Sequence, residues 1–225
     1  MIRSRIILIL LACLVTLACT GTPQASSANQ ERTPARTMSV AGAGWLVRPE
    51  RIAEEQPDQM LTALEIEPGS VVADIGAGVG YHTWRLSEIV GPSGRVIAED
   101  IQPAMLELLR RNIEERNLSN VDSVLGTPTD PRLPEATIDL VLMVDVYHEF
   151  SDYRSMMLAI QKALKPDGRV VLVEFRKEDP KVPILPLHKM SEEEVRAELE
   201  PLGFHFVENI NFLPWQHILI FSVDN

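Results

Sequence analysis

The chain has 225 residues, 45% of them hydrophobic, with 21 Lys and Arg against 32 Asp and Glu and a formal net charge of −11. That length supports one sizeable domain of ordinary globular composition, and the acidic balance argues against non-specific nucleic-acid binding, which draws on a basic face. Both cysteines, Cys13 and Cys19, lie near the N-terminus. A disulfide framework, a zinc–thiolate site and a cysteine nucleophile are therefore excluded from the rest of the chain.

In chain order, Arg3 and Arg5 precede an apolar run from Ile6 to Ala18. The run is short for a membrane span of about 17–25 residues and has the length of an export-signal core. It closes as Thr16-Leu17-Ala18-Cys19, which resembles the lipobox of bacterial lipoproteins, although Thr16 stands where that family prefers Leu. The resemblance implies cleavage before Cys19 and a lipid on its sulfur. Leu10-Leu11-Ala12-Cys13 is a competing site with a very short core, and a plain cleaved signal or an uncleaved anchor are the alternatives. Loss of residues 1–18 removes two arginines and no acids, leaving 19 basic against 32 acidic residues, a net −13. Residues 19–44 are rich in small and polar side chains, the composition of a flexible tether, so the folded domain is expected over 45–225. The expected location is the bacterial cell envelope, lipid-anchored and facing the periplasm, or the cytoplasm where the signal goes unused.

From residue 57 onward, short apolar runs alternate with helix-like segments. Pro57 opens a helix carrying Met60, Leu61 and Leu64, and Pro68-Gly69 stops it. Val71 to Ile75 reads as a first strand, residues 81–90 as a helix and Val96 to Ala98 as a second strand. Met105, Leu109 and Ile113 then mark an amphipathic helix over 103–116. Val121 to Leu125 and Ile138 to Val144 are the third and fourth strands. A helix bearing Met156, Ile160 and Leu164 closes at Lys165-Pro166-Asp167-Gly168, and Arg169 to Phe175 is the fifth strand. Ser191 and Glu194 form a capping box ahead of a helix with Val195, Leu199 and Leu202. Two strands end the domain, around Phe204–Ile210 and Trp215–Val223, joined only by Asn211 to Pro214. The alternation implies a mostly parallel, seven-stranded Rossmann-like α/β sheet with helices on both faces and an antiparallel hairpin at one edge.

The most informative stretch is Asp74-Ile75-Gly76-Ala77-Gly78-Val79-Gly80-Tyr81, a glycine loop between a strand and a helix. Glycines there let the backbone approach a ligand, and the helix N-terminus offers unpaired N–H groups. Asp100 ends the next strand, where a carboxylate can accept both hydroxyls of a ribose. The spacing is G-x-G-x-G rather than the G-x-G-x-x-G of dinucleotide folds. It resembles the first motif of class I S-adenosylmethionine-dependent methyltransferases, over about 165 residues from Pro57 to Val223. Leu164-Lys165-Pro166-Asp167-Gly168 and the closing hairpin extend that resemblance. It implies S-adenosylmethionine as cofactor, with Asp74, Gly76, Ala77, Gly78, Gly80 and Tyr81 along its methionyl part and Asp100 and Ile101 at the ribose. Thr127 or Asp130 is expected at the adenine, in the place of the acid that the family often carries after strand three; backbone groups are the alternative there.

Methyl transfer is an in-line displacement, so a base is needed only for an acceptor that loses a proton. The end of strand four, Asp145-Val146-Tyr147-His148-Glu149-Phe150, is the richest polar cluster. His148 is the candidate base, with Tyr147 and Asp145 orienting an acceptor; the alternative is that His148 and Glu149 cap the following helix. Tyr147-His148-Glu149 and Val173-Glu174-Phe175 resemble C-methyltransferases of ubiquinone and menaquinone synthesis, whereas Gly80-Tyr81-His82-Thr83 resembles protein L-isoaspartate O-methyltransferases. Residues 176–190, with three prolines, form either a lid or a segment packed on the sheet; Trp45 to Gln56 is read as a cover for the cofactor. The expected activity is methyl transfer to a small-molecule or lipid-like acceptor, without metal or nucleic acid. The alternative is a non-catalytic, envelope-anchored cofactor-binding module.

Overall fold

A computed structural model describes residues 32–223. The signal segment, Cys13, Cys19 and the first part of the expected tether lie outside the described residues. Five strands, β1 (Val71–Ile75), β2 (Arg95–Asp100), β3 (Val121–Leu125), β4 (Ile138–Val144) and β5 (Leu164–Arg176), are joined by parallel pairings. A two-residue strand β6 (Lys189–Met190) also runs parallel to β5, and β7 (Phe204–Ile210) and β8 (Gln216–Val223) form the antiparallel hairpin. The order across the sheet is β3-β2-β1-β4-β5-β8-β7, with β6 paired to β5 off this path. The helices are α1 (Arg51–Glu55), α2 (Pro57–Ala63), α3 (Thr83–Val90), α4 (Pro103–Arg116), α5 (Tyr153–Ala163) and α6 (Glu192–Leu199). This is the Rossmann-like α/β sheet expected from the alternation of elements.

The central strands are apolar on both faces because helices cover both. Successive residues therefore belong to opposite cores. Ala73, Val141, Met143, Val170 and Leu172 join Met156, Ile160, Leu199 and Phe204 on one side. Val72, Leu140, Leu142, Val171 and Val173 join Met60, Leu61, Leu86 and Val90 on the other. Helix ends follow local chemistry. Pro103 occupies the first turn of α4, and Asn117 closes it in the left-handed region at φ 56°. The capping box of Ser191 and Glu194 forms at the start of α6.

Three features differ from the sequence expectations. The strand count rises to eight because Lys189 and Met190 pair with Phe175 and Arg176, past the point where β4 ends against β5. Two residues carry no periodicity from which a strand is legible. Leu164 pairs with Ile138, so β5 starts before Lys165-Pro166-Asp167-Gly168 rather than after it, with a register shift along the way. Residues 32–44 are not a free tether. Arg32 ion-pairs with Glu198 at 2.9 Å and donates to the carbonyls of Tyr147 and His148 at 2.8 Å each. Ala35 is buried, and its N–H donates to the His148 carbonyl at 3.0 Å. One arginine saturating two carbonyls and a carboxylate orders a stretch that composition alone marks as unstructured. Among the described residues, no helix is long and apolar enough to cross a membrane.

Candidate functional site

A cavity of about 930 Å³ opens at the carboxyl ends of β1, β2 and β4. One end is walled by the glycine loop. Gly76 has φ +68°, and a side chain there would put Cβ 2.4 Å from Val146 Cγ2. Only glycine suits both the backbone and the space. Gly78 donates its N–H to Asp100 Oδ2 at 3.0 Å and Gln102 donates to Asp100 Oδ1 at 2.8 Å, while Ala77 donates to the Glu99 carbonyl at 2.8 Å. Asp100 is thereby locked at the rim, and burial raises its pKa despite those N–H donors. Ile101, partly exposed, lines the cavity beside it.

Asp74 lies beneath the loop, buried, and accepts from Thr83 Oγ1 at 2.6 Å. Burial lifts its pKa to about 6. The Tyr81 hydroxyl is buried with no hydrogen-bond partner among the described residues, and its ring is flanked by the guanidinium groups of Arg51 and Arg85, at 4.2 and 4.6 Å. His82 is buried, with both ring nitrogens unpartnered and its pKa pushed well down by burial, so it is neutral. From the segment Trp45 to Gln56, read in the sequence as a cover, Trp45, Leu46 and Arg51 line the cavity, with Met38 and Ser39 ahead of them.

Glu99 was not singled out by the sequence pattern. It is 1% exposed, its Oε1 has no partner, and burial raises its pKa to about 8. A Cβ on Gly126 would sit 1.8 Å from that oxygen, so the glycine after β3 makes room for it. The available signal was its position beside Asp100, combined with a glycine at the facing strand end. Thr127 and Asp130, by contrast, are not brought to the cavity. They bridge each other through Thr127 N–H to the Asp130 carbonyl at 2.9 Å, and Asp130 is exposed and accepts from the Arg132 N–H at 2.7 Å. Pro128 lines the wall between them.

The other end of the cavity lies after β4. Asp145 takes a left-handed backbone at φ 53°, a conformation rare for a residue with a side chain. Its Oδ2 accepts from Gln216 Nε2 at 2.7 Å, Oδ1 is unpartnered, and burial raises its pKa well above the usual range, with Glu55 and Glu174 adding to the effect. Tyr147 points elsewhere. It is fully buried in the core on the α5 side, and its hydroxyl donates to Glu198 Oε2 at 2.6 Å. It cannot orient a molecule in the cavity from there.

His148 does line the cavity, but both ring nitrogens are engaged. Nδ1 lies 2.5 Å from Glu174 Oε2, and Nε2 lies 3.0 Å from His188 Nδ1. Glu174 is completely buried on β5 and accepts from the Tyr147 N–H through its other oxygen at 2.9 Å. Burial works to lower the His148 pKa, yet the Glu174 carboxylate outweighs it and the net shift is upward. Burial, then the neighbouring His148 charge, lowers His188. Glu149 is raised to about 7 by burial, against hydrogen bonds from Thr37 and Met38. His188 was missed because it sits in the proline-rich connection. Strand β6, immediately after it, pins that connection beside the end of β4, while Ile184 and Leu185 reach the cavity wall.

Residues 72–168 match the family model described as a methyltransferase domain. The demethylmenaquinone methyltransferase of Lactococcus lactis is 30% identical over 148 residues, covering 65% of this chain and 57% of that protein. The protein-L-isoaspartate O-methyltransferase of Methanothrix thermoacetophila is 30% identical over 113 residues, 50% of this chain and 51% of that protein. The chain thus spans little more than half the length of these curated relatives. A SAM-dependent methyltransferase structure from Aquifex aeolicus superposes with a TM-score of 0.79 at 24% identity, covering 83% of this chain and 100% of that one. The chain has the Rossmann-like methyltransferase fold.

Proposed function

We propose that this chain, a methyltransferase domain in a methyltransferase fold, is an S-adenosylmethionine-dependent methyltransferase acting on a small-molecule or lipid-like acceptor. The observation that carries the reading is the joining, in one cavity, of a glycine cradle that a Cβ would fill, a locked Asp100 and a separate histidine-bearing end. Asp74, Glu99, Asp100, Asp145 and Glu149 line the wall with Arg36 and Arg51, and burial shifts Glu99, Asp145 and Glu149 toward their neutral forms, so the wall offers hydrogen-bonding carboxyl groups rather than a strong negative field.

When bound, S-adenosylmethionine supplies a methyl group activated by its sulfonium for in-line displacement. The loop from Gly76 to Gly80 would hold its methionyl part and Asp100 its ribose hydroxyls. Glu99, neutral at pH 7 because its carboxyl titrates near 8, adds polarity without a second negative charge beside Asp100. Glu174 is a positioning residue: its hydrogen bond to Nδ1 fixes the His148 ring so that the Nε2 edge meets His188 at the cavity. His148 and His188 orient the polar group of the acceptor, while Ile184, Leu185 and Phe175 face its apolar part. The demethylmenaquinone methyltransferase among the relatives fits such an acceptor.

Calorimetry of the full chain with S-adenosylmethionine tests the reading. Binding is expected, weakened about 10- to 100-fold in Asp100→Ala, the range for losing hydrogen bonds to a charged group. A folded protein that binds none would overturn it. Incubation of cell extract with methyl-labelled cofactor, followed by mass spectrometry, then identifies the acceptor. The anchoring of this domain through a lipid on Cys19 belongs to the same proposal, supported by the signal anatomy and lipobox resemblance. Palmitate labelling that persists in Cys19→Ala would remove it.

A further inference from the structure

His148, Glu149 and His188 each offer one ligand atom, and the three atoms lie within 4.8 Å of one another. The two imidazole nitrogens, His148 Nε2 and His188 Nδ1, face each other at 3.0 Å. Two ligand nitrogens on one tetrahedral zinc ion stand roughly 3.3 Å apart, given bond lengths of about 2.0–2.1 Å. The outer arrangement is that of a metal site as well. His148 spends its other nitrogen on the fully buried Glu174 carboxylate at 2.5 Å. A carboxylate in that place selects the tautomer whose Nε2 lone pair points inward, and metal-binding histidines are held in this way.

Charge points in the same direction. Glu149 forms no ion pair with a lysine or arginine among the described residues, and Glu174 pairs only with His148. Arg32 and Arg51 are committed to Glu198 and Glu55, and Arg36, which also lines the cavity, forms no ion pair with Glu149. Glu174 is fully buried and Glu149 half-buried; taking a carboxylate out of water without a full cationic partner is costly, and a dication on the Nε2 side of His148 offsets part of that cost.

We propose that His148 Nε2, His188 Nδ1 and a Glu149 carboxylate oxygen form a binding site for a divalent first-row metal ion, with Glu174 as the outer carboxylate. Two imidazoles and one carboxylate suit zinc or its neighbours rather than magnesium or calcium. Three protein ligands leave a coordination position directed to the cavity. An oxygen of the acceptor is the ligand that position would take, and coordination there lowers the pKa of a hydroxyl. Because His188 belongs to the 177–190 connection, metal binding would also fasten that connection to the end of β4. Metal binding by these three side chains does not depend on the methyl-transfer reading, whereas coordination of the acceptor rests on it.

The test is equilibrium dialysis of the full chain against zinc, with metal content per chain as readout. It is run in a Cys13→Ser, Cys19→Ser background so that thiols do not compete. One zinc per chain is expected, with affinity falling at least tenfold in His188→Ala and 10- to 100-fold in Glu174→Gln, while thermal unfolding confirms that both variants fold. Cobalt in place of zinc is expected to give the visible absorption of a low-coordinate ion. Absence of stoichiometric zinc, or equal zinc binding by the parent and His188→Ala, overturns the site. S-adenosylmethionine calorimetry on the same samples is a separate readout, so loss of one proposal leaves the other measurable.

Discussion

The glycine-loop end of the cavity and the β4 end are built by opposite means. At the first, Gly78 and Asp100, 22 positions apart, are joined through a backbone N–H, and the whole wall comes from one strand–loop–helix–strand unit. At the second, His148 meets Glu174 and His188 across 26 and 40 positions, Asp145 meets Gln216 across 71, and Arg32 reaches the Tyr147 carbonyl across 115. The first end depends on space left for backbone. The second depends on side chains delivered by five separate parts of the chain. A local wall serves a constant ligand, whereas an assembled wall changes with each loop that contributes to it.

The comparison makes predictions of graded size. The largest concerns the loop. Gly76→Ala forces a Cβ to within 2.4 Å of Val146 at φ +68°, so a stability loss of about 1–3 kcal/mol is expected, together with a more than 100-fold loss of S-adenosylmethionine affinity by calorimetry. Affinity equal to wild type would break the comparison at its root, because the loop would then not depend on bare backbone.

Arg32→Ala probes the assembled end. It leaves Glu198 and two carbonyls without their shared donor, a loss of about 1–3 kcal/mol by thermal unfolding. Faster hydrogen exchange across residues 32–47 is the accompanying sign, and protection unchanged from wild type would show that the segment is held by something else.

Glu99→Gln separates the ends by pH. Glu99 titrates near 4.5 in water and near 8 when buried, so its folded state holds a proton that the unfolded chain releases. Its contribution to stability is full below about pH 4.5 and is lost as pH rises through 8. Asp74 follows the same sign between 3.8 and about 6. The variant, which stays uncharged, is expected to flatten the fall in Tm and to be a few degrees more stable than wild type at pH 8. An unaltered Tm–pH curve would show that Glu99 does not hold its proton in the folded state.

The smallest effect belongs to Tyr147→Phe. Its hydroxyl bonds Glu198 outside the cavity, so about 1 kcal/mol of stability is expected to go, with kcat within twofold of wild type. A hundredfold fall in kcat would return the tyrosine to the acceptor.

Legibility follows the same division. Gly76, Gly78, Gly80 and Asp100 could be read in advance because their relation lies in spacing along a short stretch. Thr127 and Asp130 were drawn from the same logic, but a turn that bonds them to each other takes them off the wall. Tyr147 and His148 are neighbours in sequence, and the short 3-10 turn at 147–149 sends one ring into the core and the other to the cavity. Glu174 was visible only as part of a family-like run, and His188 carried no signal in a proline-rich connection.

By itself, the sequence determined the parallel α/β sheet, its closing hairpin and the glycine cradle, because apolar period, turn residues and capping act over a few positions and do not wait for the rest of the chain. Only the tertiary structure decided that residues 32–44 are tied down, that β6 exists, and that His148 stands between Glu174 and His188. Those outcomes rest on contacts between distant segments, whose closure is decided by which buried carboxylates, carbonyls and imidazoles find partners once the sheet has formed. No spacing along the chain encodes that choice.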